Sequence, residues 1–574
     1  FRNTLMKAAD ASLRQGLPAT SLLFHEERVR LAEARAEEDP LGISDALLRR
    51  SSAYRALGAL EAARRDVDDS RAHAERIAPG EWRDRVLAEL DFALGELELE
   101  VAPERALQPL TAALDASLLS EMRYRLPLFY ETRARAFLAT GDLAREQDDL
   151  ERGISEVEAQ RATVLSNPAG AAAFEQARSL FDARIDLELR RERPDIGFEY
   201  AERSRARTLL DMAELAGETG SRVLRAEEAQ RELPSGMALV EFAVQKDRTL
   251  AWVLTRDSLR LVPLAAGTMR LEDLVGKLRS AVIGGRDARP LAVRLYRLLI
   301  EPLQPWIGER SLIVVPDRSL HLLPFAALIN PATGRYLLEE RAVAKAPSAT
   351  LWVKALRQDR LLAQGTLPGV LVAGNPDFDR ELFRELTSLP EAEREARKVA
   401  GVHPGARLLT GEQATKRAFL DEAPLSSVVH LAAHARPNRG NPLISELLLA
   451  HEGDDPGVLY AYEIYRMRFT ATRLVVLSAC GTAGGKVTAS EGAGSLARAF
   501  LAAGVPAVVG SLWDTQDKAA SDVLIAFHRR LSQGEDSMSA LRGAQLDVLR
   551  RPNPGTPRPD LWAGFELIGG VSPR

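Results

Sequence analysis

Hydrophobic positions follow two rhythms along this chain, and the change falls near residue 217. From about residue 3 to 216, apolar residues recur three and four apart in stretches rich in Ala, Leu, Glu and Arg and poor in β-branched runs. That spacing lines one face of an α-helix, so this half is predicted to be helical. Beyond it, short β-branched runs appear: MALVEFAV (237–244), TLAWVLT (249–255) and, after a helical stretch, LIVV (312–315). Later runs, VLVAG (370–374), VVHLAAH (428–434), LVVLSAC (474–480), AVVGSLW (507–513) and FELIG (565–569), alternate with helical patterns. Strands without polar alternation, separated by crossover helices, predict a largely parallel sheet covered on both faces. Between 441 and 469 the rhythm breaks into NPLISELLLA and GVLYAYEIYRM, which predicts a β-hairpin beside the sheet.

Within the helical half, SSAYRALGALEAARRDVDDS (51–70) and TRARAFLATGDLAREQDDLERG (132–153) each read as a helix, a turn at Gly58 or Gly141, and a second helix. LDFALGELELEVAPERALQPL (90–110) is a weaker unit between them. The period of roughly 40 residues is that of helix-pair solenoids and resembles degenerate tetratricopeptide repeats, with an irregular helical bundle as the alternative. The expected architecture is α plus α/β: a helical repeat domain over 1–216, a supporting part over 217–360, and a second α/β part over 361–574.

Length supports several domains, because 574 residues exceed what one core serves. A net charge of -5 supplies no broad basic field, which argues against direct nucleic-acid binding. The single cysteine, Cys480, excludes an intrachain disulfide and a Cys-rich zinc site, and points to a reducing compartment, the cytoplasm. No run is long and apolar enough to span a membrane, and the opening FRNTLMKAADASLRQG lacks a signal-peptide core. That opening also lacks an initiator Met, so the numbering is expected to begin inside a longer chain.

Catalytic groups of open α/β sheets gather at the carboxyl ends of strands, and VVHLAAH and LVVLSAC each end in a reactive side chain, His434 and Cys480. On neighbouring strands about 5 Å apart, the imidazole reaches the thiol and generates a thiolate nucleophile. Glycines after the cysteine, Gly481, Gly484 and Gly485, let backbone N–H groups approach a developing oxyanion, with the amides of Cys480, Gly481 and Ala435 as donors. A buried structural cysteine and a packed histidine fit the same spacing. His430 lies within its strand on the face expected for His434, and competes for the role of base.

Several segments then resemble the CHAT domain, the caspase-like module often found behind tetratricopeptide repeats. They are ERSRARTLLDM (202–212), LIVVPDRSLHLLPFAAL (312–328), YLLEERAVAKAPSATLW (336–352), VLVAGNPDF (370–378), VVHLAAHA (428–435), LVVLSACGTAGG (474–485), the run from EGAGSLARAF to DVLIAFH (491–528), and LWAGFELIGG (561–570). The resemblance implies a caspase-like catalytic part over 361–574, a cysteine endopeptidase of the caspase and separase type, and His434 and Cys480 as its dyad. Caspases and separase carry Gly after the catalytic His, whereas Ala435 stands here; many CHAT sequences carry an acid where Gly481 stands.

The segment SLWDTQDKAAS (511–521) resembles the part of separase that receives a P1 arginine, so Asp517 and Asp514 are candidates for pairing a basic P1 side chain. The alternative is that they cap the helix that follows. Ser478, on the strand face of Cys480, stands where some arginine-cutting relatives have Asp, and it leaves the charge to the 514–517 loop. His321 is expected to pack, and the acidic turn DDPG (454–457) is too poor in ligands for calcium; no metal and no cofactor are expected. Some bacterial relatives act in defence by cutting gasdermins or other effectors, so the expected partners are a protein substrate and an activator bound by the repeats. A non-catalytic adaptor is the rival class.

Overall fold

The computed structural model describes residues 2–119, 122–164, 168–205, 222–364, 369–438, 441–479, 482, 486–488, 492–494, 496–514, 517–551 and 558–570. The chain divides into two compact units, Phe1–Arg191 and Glu192–Arg574.

The first unit is a run of helices in which each packs on the next. All three predicted helix pairs form: Pro40–Ala56 with Leu60–Ala74, Glu81–Val101 with Pro103–Leu118, and Leu126–Ala139 with Leu143–Val164. Gly58 (φ 74) and Gly141 (φ 78) sit in the left-handed region that closes a helix end without a Cβ clash. The repeat also persists in side chains. Arg50 holds Asp66 bidentately at 2.8 and 2.7 Å, and Arg133 holds Asp149 at 2.8 and 2.7 Å. The same sequence shift that carries Gly58 to Gly141 carries Arg50 to Arg133, Asp66 to Asp149 and Tyr54 to Phe137. Each guanidinium lies over its aromatic ring, at 5.6 and 5.8 Å.

The strands of the second unit are β1 (Met237–Val244), β2 (Thr249–Thr255), β3 (Ser258–Leu264), β4 (Ser311–Val315), β5 (Val343–Lys345), β6 (Val370–Pro376), β7 (Arg407–Gly411), β8 (Val428–Ala432), β9 (Ala435–Arg436), β10 (Glu446–Leu448), β11 (Val458–Tyr460), β12 (Leu474–Ser478), β13 (Lys486–Thr488), β14 (Gly492–Gly494), β15 (Ala507–Ser511) and β16 (Phe565–Gly569). Eleven form one sheet in the order β3-β2-β1-β4-β5-β16-β15-β12-β8-β6-β7. Its pairs are mostly parallel, as expected, but β1/β2, β2/β3 and β15/β16 are antiparallel. The first two follow from connections too short for a crossover: Gln245 N–H donates to the Arg248 carbonyl at 2.8 Å and turns the chain straight back. The irregular stretch after residue 441 contributes β10 and β11, which with β9 make a small antiparallel sheet.

Helix Pro194–Arg203 reads as part of the helical half but belongs to the second unit. Trp252 Nε1 donates to the Pro194 carbonyl at 2.8 Å. The Glu202 carboxylate accepts the N–H groups of Ala349 and Thr350, at 2.8 and 2.7 Å, at the start of helix Ala349–Ala363. Helical periodicity shows that a face is apolar, not which core receives it. The expected division near residue 360 has no counterpart in separate cores, because the sheet runs through it.

The strand that joins the two sides of the sheet is β16, parallel to β5 and antiparallel to β15. Lys345 on β5 and Glu566 on β16 form a buried ion pair at 2.6 Å, and Lys345 also donates to the His321 carbonyl at 2.9 Å. Burial pushes the Glu566 carboxyl up to about 7 against the pull of Lys345, and burial pushes the Lys345 ammonium down. Such a pair specifies register, since a slip strands two charges in the core. Lys345→Met is expected to destabilise this unit by about 3 kcal/mol in denaturant unfolding, whereas Lys345→Met/Glu566→Leu, which removes both charges, recovers most of that loss.

Candidate active site

Strands β8 and β12 are parallel neighbours, with Val428 opposite Leu474 and Ala432 opposite Ser478. Val429, Leu431, Val475 and Leu477 are all fully buried in one cluster on the same side of the sheet, which locks that register. His434 follows the end of β8 by two residues, and Cys480 follows the end of β12 by two. Ala479 is the last described residue before the cysteine; Cys480, Gly481, Gly484 and Gly485 lie outside the described residues.

Three contacts hold His434. Its carbonyl accepts the Leu448 N–H at 3.0 Å, its Nε2 donates to the Thr387 carbonyl at 2.8 Å, and the Phe378 ring meets the imidazole edge-on at 5.3 Å. A carbonyl oxygen only accepts, so Nε2 carries the proton and Nδ1 is the basic nitrogen. Ala435 lies in β9 opposite Leu447, between hydrogen-bonded positions of the antiparallel ladder, so its N–H turns away from β10. The backbone of Ala435 is extended, outside the left-handed region, so alanine is accommodated there without backbone strain.

Past β12, the Ala479 carbonyl accepts from Ser511 Oγ at 3.1 Å and from Thr482 Oγ1 at 3.3 Å, while Ser511 N–H donates to Thr482 Oγ1 at 3.2 Å. These hydroxyls tie the chain on both sides of residues 480 and 481 to the end of β15. Sequence reasoning passed over Thr482 and Ser511, and also Thr387, which acts through its backbone and leaves no signature in residue type.

Ser478 is half-buried at the end of β12, and Asp514 is exposed beyond the end of β15. The chain leading to Asp514 is anchored. Leu512 N–H donates to the Gly564 carbonyl at 2.9 Å, Trp513 Nε1 donates to the Asp560 carbonyl at 3.3 Å, and Arg279 donates to the Leu512 carbonyl at 3.3 Å. Asp517 is the first residue of helix Asp517–Ser532.

His430 does not share a face with His434. The chain leaves the sheet after Ala432, so the alternation of β8 does not carry through to residue 434. His430 is fully buried and its Nδ1 lies 3.1 Å from His528 Nε2; His528 Nδ1 in turn lies 3.0 Å from His403 Nε2. Glu395 Oε1 lies 3.0 Å from His430 Nε2. This chain of rings runs between β8 and helices Pro390–Val402 and Asp517–Ser532, and explains why a histidine occupies a core strand.

His321 has its imidazole pushed down to about 3 by burial and then by Lys345, so it is neutral near pH 7. Asp455 of the acidic turn accepts its own loop's Gly457 N–H at 2.9 Å. Among the described residues no group of His, Cys, Asp and Glu is arranged to hold a metal ion, and no helix is long and apolar enough to cross a membrane.

Comparison with known proteins adds an independent finding. Residues 289–570 match the family described as CHAT domain. Tetratricopeptide repeat protein 28 of Homo sapiens is 30% identical over 49% of this chain and 13% of its own length, and the Mus musculus protein gives the same figures. The chain thus spans about an eighth of the curated relatives it matches. Among solved structures, the Saccharomyces cerevisiae separase–securin complex is similar with a TM-score of 0.43 and 11% identity, over 99% of this chain and 53% of that one. A Podosopora anserina putative kinesin light chain with TPR-like repeats gives a TM-score of 0.27 at 16% identity over 35% of this chain and 95% of that one.

Burial pushes His528 well below its ordinary value of 6.5, with His430 and His403 adding to the shift, and burial also lowers His403. Groups held neutral in the fold contribute stability that is complete above the unfolded value and is lost as pH falls beneath it. Thermal unfolding is therefore expected at progressively lower temperature as pH drops from 7 through 5, with a shallower dependence in His528→Gln, which removes one of the rings held neutral by burial.

Proposed function

As a chain whose residues 289–570 form a CHAT domain, a caspase-like fold, behind a unit of helical repeats, the protein is, we propose, a cysteine endopeptidase with Cys480 as nucleophile and His434 as base. The observation that carries this reading is the pairing of Ala432 with Ser478 between β8 and β12, which brings the ends of the strands leading to His434 and Cys480 side by side. The Thr387 contact supports it too, since it leaves Nδ1 of His434 as the basic nitrogen.

In this mechanism His434 Nδ1 takes the thiol proton and the thiolate attacks the scissile carbonyl carbon. The oxyanion is held by backbone N–H groups at Ala435, Cys480 and Gly481. Collapse expels the amine, which takes its proton from the imidazolium, and leaves a thioester. Water, deprotonated by His434, then releases the acid and regenerates the thiol.

For specificity, we propose a basic P1 residue met by Asp517 or Asp514, with Ser478 at the pocket wall. A cation entering a partly desolvated cleft needs a carboxylate partner. The helical unit binds the substrate or an activator, and a free thiol nucleophile suits the reducing cytoplasm. A gasdermin or other effector is a substrate by analogy alone. The adaptor reading draws on the naming of the curated relatives for their repeats, and it requires Cys480 to be inert.

Cys480→Ala and His434→Ala are expected to abolish cleavage of a mixed peptide library while leaving the melting temperature near wild type; retained cleavage rejects the dyad. With the same library, wild type is expected to prefer Arg or Lys at P1. The Asn variant of the responsible acid, Asp517→Asn or Asp514→Asn, should lose about a hundredfold in kcat/KM for those substrates, ~3 kcal/mol. A preference for acidic or apolar P1, or basic cleavage unchanged in both variants, assigns these acids to helix capping instead.

A further inference from the structure

We propose that Asn375 is a positioning residue for His434, acting through the loop whose Thr387 carbonyl fixes the imidazole; this rests on His434 being the base. The segment VLVAGNPDF forms β6 and its exit, and β6 runs beside β8, with Gly374 opposite Ala432. A Cβ at Gly374 would stand 2.3 Å from that of Ala396 and 2.8 Å from the Ala392 carbonyl oxygen, so glycine is what lets helix Pro390–Val402 lie directly on the strand.

Asn375 then adopts φ 48, a left-handed conformation that asparagine tolerates better than most residues. Its side chain faces that helix with both polar atoms engaged. Oδ1 accepts the Leu389 N–H at 2.7 Å, and Nδ2 donates to Glu393 Oε2 at 3.2 Å. Leu389 stands at the N-terminal boundary of the helix and has no side-chain oxygen to satisfy an amide there. One amide thus closes a loop across 14 residues.

The near end of that loop is fixed separately. Asp377 N–H donates to the Gly411 carbonyl at 3.2 Å, and Phe378 and Phe383 are buried against Leu448 and Val458. The far end is tied by Asn375, and Thr387, which receives the His434 proton, lies two residues before Leu389. Leu386 packs against the same cluster and its N–H donates to the Phe383 carbonyl at 3.1 Å, so Thr387 stands between that anchor and the one at Leu389; release of Leu389 leaves the Thr387 carbonyl held on one side only and loosens the tautomer and aim of the imidazole. The strained asparagine is thereby part of the reactive centre's geometry without touching the reacting atoms.

The test reads the thiol directly. Cys480 is the only cysteine among these 574 residues, so the pH dependence of its alkylation by iodoacetamide in this chain reports one group. Each variant is assayed well below its own melting midpoint. His434→Ala is expected to slow alkylation at pH 7 about tenfold and to move the midpoint toward an ordinary thiol near 8.5. Asn375→Gly keeps the left-handed backbone and removes both side-chain bonds; it should slow alkylation about fivefold and shift the midpoint the same way. Asn375→Asp/Glu393→Gln retains the acceptor for Leu389, lets the new glutamine amide donate to the aspartate in place of the Asn375–Glu393 bond, and should stay within about twofold of wild type. If Asn375→Gly lowers only the melting temperature, with rate and midpoint as in wild type while His434→Ala is slow, Asn375 is a structural clamp and the proposal falls. If His434→Ala reacts as wild type does, the dyad itself is wrong and this inference falls with it.

Discussion

The parallel pairing of β8 with β12 holds Val428 beside Leu474 and Ala432 beside Ser478, and the buried side chains of both strands fix it there. A shift of one residue would swing Val429 and Leu431 out of their cluster and drive His430 into it, at a cost of several buried apolar side chains. Because that register is enforced by the core, the last residues of the two strands, Ala432 and Ser478, are brought side by side at one edge of the sheet. The small sheet of β9, β10 and β11 then fastens the backbone of His434, and β6 on the other flank supplies the loop that orients its ring.

Buried and half-buried polar groups in this unit work as fasteners between elements. Glu202 closes the start of a helix far from it in sequence, Thr482 and Ser511 bind the exit of β12 to the end of β15, and Asn375 ties β6 to the start of the next helix. The three histidines between β8 and its covering helices belong to the same class. Each offers hydrogen bonds where an apolar side chain would only fill volume, and each leaves an unsatisfied donor or acceptor if its partner is displaced.

Periodicity made much of this fold legible. The helix pairs around Gly58 and Gly141 and strands β1, β2, β4, β6, β8, β12, β15 and β16 lie where the apolar spacing placed them, because burial is what both patterns encode, whereas β3, β5 and β7 were not read from the sequence. The mixed sheet was less visible, since strand order and direction depend on connection length and on β16 returning from far along the chain. Helix Pro194–Arg203 was assigned to the wrong side for a related reason: its anchors, Trp252 and Ala349, are distant in sequence. Of the candidate site, the sequence offered candidate side chains but not their surroundings. The place of His430 depends on where β8 ends, and Thr387 contributes a carbonyl that every residue possesses.

The strand that completes the sheet is the last of its strands in chain order. Until Phe565–Gly569 has been synthesised, β5 and β15 both present open edges to each other across a gap that only β16 fills. A nascent chain on the ribosome therefore carries β8 and β12, the strands of the candidate site, long before it carries the strand that unites the sheet behind them. Translation itself sets the order: the two open edges are the stretch a chaperone would have to shield, and assembly of the domain waits for the end of synthesis of this region. A product terminated ahead of residue 565 would display both edges permanently, as a template for pairing with other chains rather than as a folded domain.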